Sequence, residues 1–122
     1  MTSRHVAGML IGGALVALVA CASSDAAAPV CTDLLPACPE SGAPSYAKTV
    51  APLIAATCVN CHAPGGRQSS RPFETYAHLY AQRSPVLNQL HACLMPPVDG
   101  PQLSDADKAI IETWLVCGSP NN

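Results

Sequence analysis

The sequence predicts an all-α fold, and three observations support this prediction. Apolar side chains recur at helical intervals in residues 45–57, and a second apolar stripe of the same period occupies residues 110–115. Residues that favour helix N-caps precede the helical stretches. No stretch alternates apolar and polar residues with the period of two that a half-buried strand requires. We therefore expect one small helical domain over residues 45–122.

The first helix is predicted within Ser45 to Thr57, where the apolar positions are Tyr46, Val50, Leu53 and Ile54. Thr49 is the candidate N-cap of this helix, and Pro52 fits its first turn, where a missing N–H leaves no bond unmade. A short helix is predicted from Phe73 to Gln82. The dipeptide Ser84-Pro85 predicts the start of another, since Ser suits an N-cap and Pro the first helical position.

The last helix has the clearest boundaries. Ser104 and Asp107 resemble a capping box in which Asp replaces Glu. One apolar stripe follows, and Gly118 is suited to end the helix. Its members are Ile110, Ile111, Trp114 and Leu115. Residues 63–72 and 94–102 are rich in Pro, Gly and Ser and predict loops.

Length and composition limit the functions that the chain can have. The 122 residues have room for one small domain and exclude a multi-domain enzyme. Beyond residue 20 the chain has one Phe, one Trp and three Tyr, and so small a core needs a disulfide, metal or cofactor as reinforcement. The net charge of −2, without a basic stripe, argues against a nucleic-acid partner.

The N-terminus carries the pattern of an export signal. Arg4 precedes the apolar run Val6 to Val19, which is short for a membrane span, and the run ends in Leu-Val-Ala-Cys21. This ending resembles the lipobox of bacterial lipoproteins, which implies cleavage before Cys21 and a lipid on its sulfur. The alternatives are an ordinary cleaved signal and a permanently anchored N-terminal helix.

The domain organisation follows from this pattern. Residues 1–20 are predicted as a lipoprotein signal peptide and residues 21–44, rich in Ala, Ser and Pro, as a lipid-anchored flexible tether. Two dozen such residues span about 25–30 Å on average. We expect an exported protein on the periplasmic or cell-surface side of a bacterial membrane, with the outer membrane preferred. Seven cysteines in so short a chain also argue against the cytosol.

The motif that carries the chemistry is Cys58-Val59-Asn60-Cys61-His62. It is the c-type haem attachment signature, in which two thiols form thioethers to one porphyrin and the imidazole binds its iron. A zinc site with Cys93 as a further ligand is one alternative, but the second close pair of a structural site is missing. A thioredoxin-like redox pair is another, but such a pair opens a helix, and this one closes a predicted helix.

Met95 is the candidate second axial ligand of the iron. It is the one methionine beyond the signal segment, and the prolines of Leu94-Met95-Pro96-Pro97 stiffen its loop. His78 and His91 are the competing candidates. His/Met ligation raises the reduction potential of a haem, whereas two histidines lower it.

The number of cysteines is consistent with this scheme. One lipidated and two haem-bound cysteines leave Cys31, Cys38, Cys93 and Cys117, an even number. The economical pairing is Cys31–Cys38 in the tether and Cys93–Cys117 in the domain, which would fasten the Met95 loop to the last helix. Free thiols are the alternative.

Residues 45–122 resemble a small class I-type monohaem cytochrome c. The landmarks occur in order: a helix running into CVNCH, the LMPP loop, and a last helix containing Trp114. The resemblance implies one covalent haem c, and first and last helices that cross beside it, with Tyr46, Val50 or Leu53 against Ile111, Trp114 or Leu115. More narrowly, the lipobox, the LMPP loop and the WLVCGSPNN ending resemble bacterial lipoprotein cytochromes.

Two features depart from better-known cytochromes of this kind. The interval from His62 to Met95 is short. Lys48 and Lys108 are the only lysines, so a cationic face for an acidic partner is not expected. Arg67 and Arg71, just past the attachment motif, are candidate partners of the haem propionates, with solvated loop charges as the alternative.

The sequence therefore predicts a single-electron carrier and not an enzyme. The expected protein is monomeric, carries His/Met-ligated haem, and exchanges electrons with unidentified redox proteins. One alternative is a haem-based ligand sensor or peroxidase-like domain in which Met95 is absent from the iron or easily displaced. A second alternative is an interaction module that is stapled by disulfides and contains no haem.

Overall fold

The computed structural model describes residue 31 and residues 34–122. These residues form four α-helices and no β-strand, which confirms the all-α prediction. The helices are α1 (Ala51–Thr57), preceded by a π-helical turn (Tyr46–Val50), α2 (Tyr76–Ala81), α3 (Arg83–His91) and α4 (Asp105–Val116). None of the described helices is long and apolar enough to cross a membrane. The predicted signal peptide and the lipidation site at Cys21 lie outside the described residues.

The first helix begins earlier than its candidate cap predicts. The Ser45 hydroxyl accepts a hydrogen bond from the Lys48 N–H, so Ser45, and not Thr49, is the N-cap. Asn122 provides the physical reason, because its side-chain oxygen accepts the Tyr46 N–H at 2.8 Å and its main-chain oxygen accepts the Ala47 N–H at 3.0 Å. These distant contacts satisfy N–H groups that a helix start leaves without partners inside the helix.

The two middle helices are shifted relative to their predicted bounds. Thr75 caps α2 by accepting the His78 N–H, so the helix cannot extend back to Phe73, whose side chain is buried outside it. Helix α3 begins at Arg83, with Gln82 at the N-cap position. Ser84 is therefore inside the helix, and its prediction as N-cap is wrong by two positions.

Helix α4 has the boundaries that the sequence predicts. The Ser104 hydroxyl accepts the Asp107 N–H at 3.1 Å and donates to the Asp107 carboxylate at 2.7 Å. Gly118 follows the helix with φ +89°, a left-handed conformation that glycine adopts without strain. The indole N–H of Trp114 donates to the Pro120 carbonyl at 2.9 Å, which fixes the chain beyond this turn.

The core forms where the first and last helices meet. Val50, Ile111 and Trp114 are fully buried, and the Tyr46 ring lies 5.5 Å from the Trp114 ring, as the resemblance implies. Tyr76 contacts both aromatic rings and donates its hydroxyl to the Ser119 carbonyl at 2.9 Å. An aromatic cluster therefore closes one side of the domain.

The four remaining cysteines form disulfides, but the expected pairing is wrong. Among the described residues, the bridges are Cys31–Cys93 and Cys38–Cys117, with Cα–Cα distances of 5.8 and 5.1 Å. The pairing was predicted from closeness in sequence, whereas the folded chain lays residues 31 and 38 against the domain. Each bridge closes a long loop, of 62 and 79 residues, and is worth about 4 kcal/mol by the chain-entropy argument.

Tryptic digestion of the denatured, unreduced protein distinguishes this pairing from the expected one. Cleavage after Lys48, Arg83 and Lys108 separates Cys93 from Cys117, while Cys31 and Cys38 stay on one peptide. The pairing in the structure predicts that all three peptides remain joined in one species that only reductant separates. If the peptides containing Cys93 and Cys117 are joined to each other alone, the pairing in the structure is wrong.

A matched pair of valine substitutions tests the core. Val50 is 0% exposed and Val98 is 99% exposed. We expect Val50→Ala to lower the free energy of unfolding by about 2 kcal/mol through lost burial and the resulting cavity. Val98→Ala should change it by less than about 0.5 kcal/mol. Denaturant unfolding of the oxidised protein measures both values, and equal losses would contradict the assignment of the core.

Candidate functional site

One cavity contains all four residues that the sequence predicts to hold the haem. It has a volume of about 350 Å³, within the range of small-molecule sites, roughly 300–1,000 Å³. Cys58, Cys61 and His62 line it from the end of α1, and Met95 lines it from the loop after α3. The rest of its wall is formed by Ile54, Arg67, Gln68, Arg71, Phe73, Gln82, Pro85, Val86, Gln89, Leu90, Pro96 and Pro97.

The attachment motif folds as a turn at the end of α1. The Cys58 N–H donates to the Ile54 carbonyl at 2.9 Å, and the Cys58 carbonyl accepts the N–H groups of Cys61 and His62 at 3.1 and 2.9 Å. Cys58 and Cys61 are both free thiols and half-buried. Because they follow a helix, no helix N-terminus stabilises a thiolate here, which argues against the thioredoxin-like alternative.

The two thiols have different polar neighbours. Burial, and to a smaller extent Cys61, raises the pKa of Cys58 above its ordinary value, although a contact with the Thr57 hydroxyl at 3.5 Å opposes the shift. Cys58 therefore keeps its proton at neutral pH. The Arg67 guanidinium donates to the Cys61 sulfur at 3.6 Å.

The His62 ring is held in one orientation. Its Nδ1–H donates to the Arg71 carbonyl at 2.9 Å, a bond that leaves the Nε2 lone pair available for a metal. Its ring stacks on Phe73 with centroids 4.0 Å apart and an interplanar angle of 9°. The Phe73 N–H donates to the His62 carbonyl at 2.8 Å. The sequence predicts a helix that begins at Phe73, whereas Phe73 lies outside α2 and stacks on His62; no local pattern indicates a contact between two loops.

The Met95 loop is fastened at several points. The Gln89 carbonyl accepts the N–H groups of Leu94 and Met95 at 2.9 and 3.2 Å. The Gln102 side chain donates to the Pro97 and Gly100 carbonyls, both at 2.8 Å. The loop also follows directly from the Cys31–Cys93 disulfide. No sequence motif indicates the roles of Gln89 and Gln102, although their contacts are all with residues at most six positions away.

The two histidines that compete with Met95 as candidate ligands lie outside the cavity. His78 is exposed on α2 and does not line the cavity. His91 also does not line it; its Nδ1 lies 3.7 Å from a Glu112 carboxylate oxygen, between α3 and α4. Of the three candidates, only Met95 shares the cavity with His62.

The two candidate arginines are placed differently from each other. Both line the cavity, but the Arg67 guanidinium forms an ion pair with the Asp99 carboxylate at 2.8 Å. This contact lowers the pKa of Asp99 and raises that of Arg67. It joins the loop after the attachment motif to the loop after Met95, although an exposed pair of this kind adds little stability. Arg71 lines the cavity, and its carbonyl accepts the hydrogen bond from His62.

The expectation of a metal-binding chain is contradicted for the part of the chain that the structure describes. The described residues contain no group of three or more His, Cys, Asp or Glu side chains that could hold a metal ion. The zinc alternative fails with it, since Cys93 is in a disulfide. The cavity offers instead one imidazole, one thioether and two free thiols on an apolar wall. This set of groups fits a covalently attached porphyrin, which brings its own four nitrogen ligands.

No family model, curated protein or solved structure matches the chain. Function is therefore inferred from the cavity and the residues that line it.

The raised pKa of Cys58 predicts a pH dependence in the haem-free chain with Cys61→Ser. The folded state binds the Cys58 proton more tightly than the unfolded state does. This proton therefore contributes its full stability below the ordinary cysteine pKa, and the contribution is lost as pH rises through the raised pKa of the folded state. We expect the alkylation rate of Cys58 to reach half its maximum at a higher pH in the folded chain than in the same chain in denaturant. Coincident midpoints would contradict the burial of this thiol.

Proposed function

We propose that this protein is an exported, class I-type c cytochrome that carries single electrons on one covalently bound haem. The observation that supports the proposal is the convergence of Cys58, Cys61, His62 and Met95 on one cavity. When bound, the haem would supply an iron that cycles between the ferric and ferrous states. The chain would contribute the covalent attachment of the haem and the two ligands of its iron.

Cys58 and Cys61 would form the covalent link. Each thiol would supply the sulfur of one thioether, and addition of its S–H across a porphyrin vinyl group would need no oxidant or reductant. It requires free thiols, and both cysteines are free while the other described cysteines are paired.

His62 and Met95 would be the axial ligands. The Arg71 carbonyl and the Phe73 ring fix the imidazole, and the Gln89 carbonyl fixes the start of the Met95 loop. Ligands that are held in place before electron transfer need little rearrangement when the iron changes charge. A rigid pair of ligands therefore suits electron transfer better than reversible ligand binding. The haem-sensor alternative needs a displaceable Met95, and the fastened loop argues against it.

The disulfides and the N-terminal sequence pattern both support a location outside the cytosol. The disulfides among the described residues are compatible with an exported protein. The lipobox pattern supports a lipid on Cys21 and anchoring to a bacterial membrane, with the outer membrane preferred. We propose a monomer that meets redox proteins at this membrane.

Substitution of the thioether tests the axial ligand. The native protein should show a Soret band and, in the ferric state, a far-red band that comes from Met–iron charge transfer. We expect Met95→Leu, which keeps the volume of the side chain, to lose the far-red band and to gain carbon monoxide binding in the ferrous state. His78→Ala, an exposed position on α2, is the control and should leave both properties unchanged.

Two results would reject different parts of the proposal, which are the Met95 ligand and the haem. Loss of the far-red band in a histidine variant, but not in Met95→Leu, would mean that Met95 is not the ligand. Purified native protein without a Soret band would reject the haem itself and favour an interaction module stapled by disulfides.

A further inference from the structure

We propose that the Met95 side of the domain rests on the surface of the lipid bilayer that holds Cys21. The contacts would be made by an apolar rim, which we define as Leu34, Leu35, Leu94 and Val98. The inference rests on the proposed lipid anchor and specifies how the anchored domain is oriented.

The first argument is the exposure of the rim. Five large hydrophobic side chains are exposed among the described residues, and four of them lie within five residues of Cys31 or Cys93. Leu34 is 82% exposed, Leu35 45%, Leu94 58% and Val98 99%. The fifth, Tyr80, lies on α2. Exposed apolar side chains in two segments that one disulfide joins are more consistent with an interaction surface than single scattered ones are.

The second argument is the length of chain between the lipid and the domain. Nine residues separate Cys21 from Cys31, and the ten peptide steps between them span at most about 33–36 Å. Without the Cys31–Cys93 bridge, the first tie to the domain would be the Cys38–Cys117 bridge, and the 17 steps to Cys38 could span about 56–61 Å. A domain of this size is about 30 Å across. The disulfide therefore limits the reach of the domain to about its own diameter.

The third argument is where this short connection ends. Cys31 is bonded to Cys93, two residues before Met95 in sequence, so the connection reaches the domain at the Met95 loop itself. The side of the domain nearest the lipid is then the side that carries the rim. Tethering at this point keeps the rim at high effective concentration near the bilayer, so that weak apolar contacts suffice.

The chemistry of the rim favours lipid over a charged partner. Residues 34–38 (LLPAC) and 94–98 (LMPPV) contain no charged side chain. The acids that flank these segments in sequence are Asp33, Glu40 and Asp99, and Asp99 forms an ion pair with Arg67. Negative charge beside the segments does not favour an anionic partner. A surface of this kind enters the boundary between headgroups and acyl chains through burial alone, so it needs no anionic lipid.

Hydrogen exchange on the native acylated protein in phosphatidylcholine vesicles tests the proposal, with the unacylated Cys21→Ser chain in solution as reference. We expect amides of residues 34–38 and 98–99 to exchange at least about fivefold more slowly on vesicles, and those of α2 to be unchanged. The double variant Leu34→Ser with Val98→Ser should lose this protection and stay vesicle-bound through its lipid. Tyr80→Ser, an exposed position outside the rim, should keep the protection.

The outcomes separate failure of the orientation from failure of the anchor. Intact mass without acyl chains would reject the anchor, and the proposed orientation with it. Acylated protein on vesicles with a rim that exchanges as in solution would reject the orientation alone. Protection that appears in solution as protein concentration rises would assign the rim to a second copy. Protection that needs an added membrane protein would assign it to that partner. A Soret band in any of these samples reports the haem independently.

Discussion

The candidate site depends on one constraint, which is that a proline-rich loop must be held over the cavity at the end of α1. Residues 94–102 contain three prolines, which have no N–H and cannot join a regular hydrogen-bond pattern. The chain holds this loop by other means: a disulfide before it, the Gln89 carbonyl at its start and the Gln102 amide across it. The loop positions Met95, the proposed weak ligand, so these ties set the geometry of the whole site.

A buried polar cluster contacts Cys93, the residue that directly precedes the same loop. The Lys108 ammonium lies 3.3 Å from the Cys93 sulfur and 3.9 Å from the Glu112 carboxylate, and His91 approaches that carboxylate from α3. Desolvation offsets much of the attraction between buried charges, so the cluster adds little net stability. Loss of one partner would nevertheless leave another charge buried and unpaired. The cluster therefore ties α3, α4 and the disulfide at Cys93 into one arrangement.

The sequence predicted the features that local chemistry determines. The cap at Ser104, the stop at Gly118 and the end of the first helix at CVNCH each depend on residues a few positions apart, and the structure has these helical boundaries where the signals place them. It did not predict the cap from Asn122, the stacking of Phe73 on His62 or the partners of Cys31 and Cys38. Each of these joins residues that are distant in sequence, and their pairing depends on the completed fold.

The cavity continues the core and is not a separate pocket beside it. Ile54, Phe73 and Leu90 are buried members of the core cluster, and all three also line the cavity. The aromatic cluster of Tyr46, Tyr76 and Trp114 fills the other end of the domain. A flat apolar ring in the cavity would bury the remaining faces of these core residues and complete a core that so short a chain cannot fill alone. The same residues would then stabilise the fold and keep water from the iron.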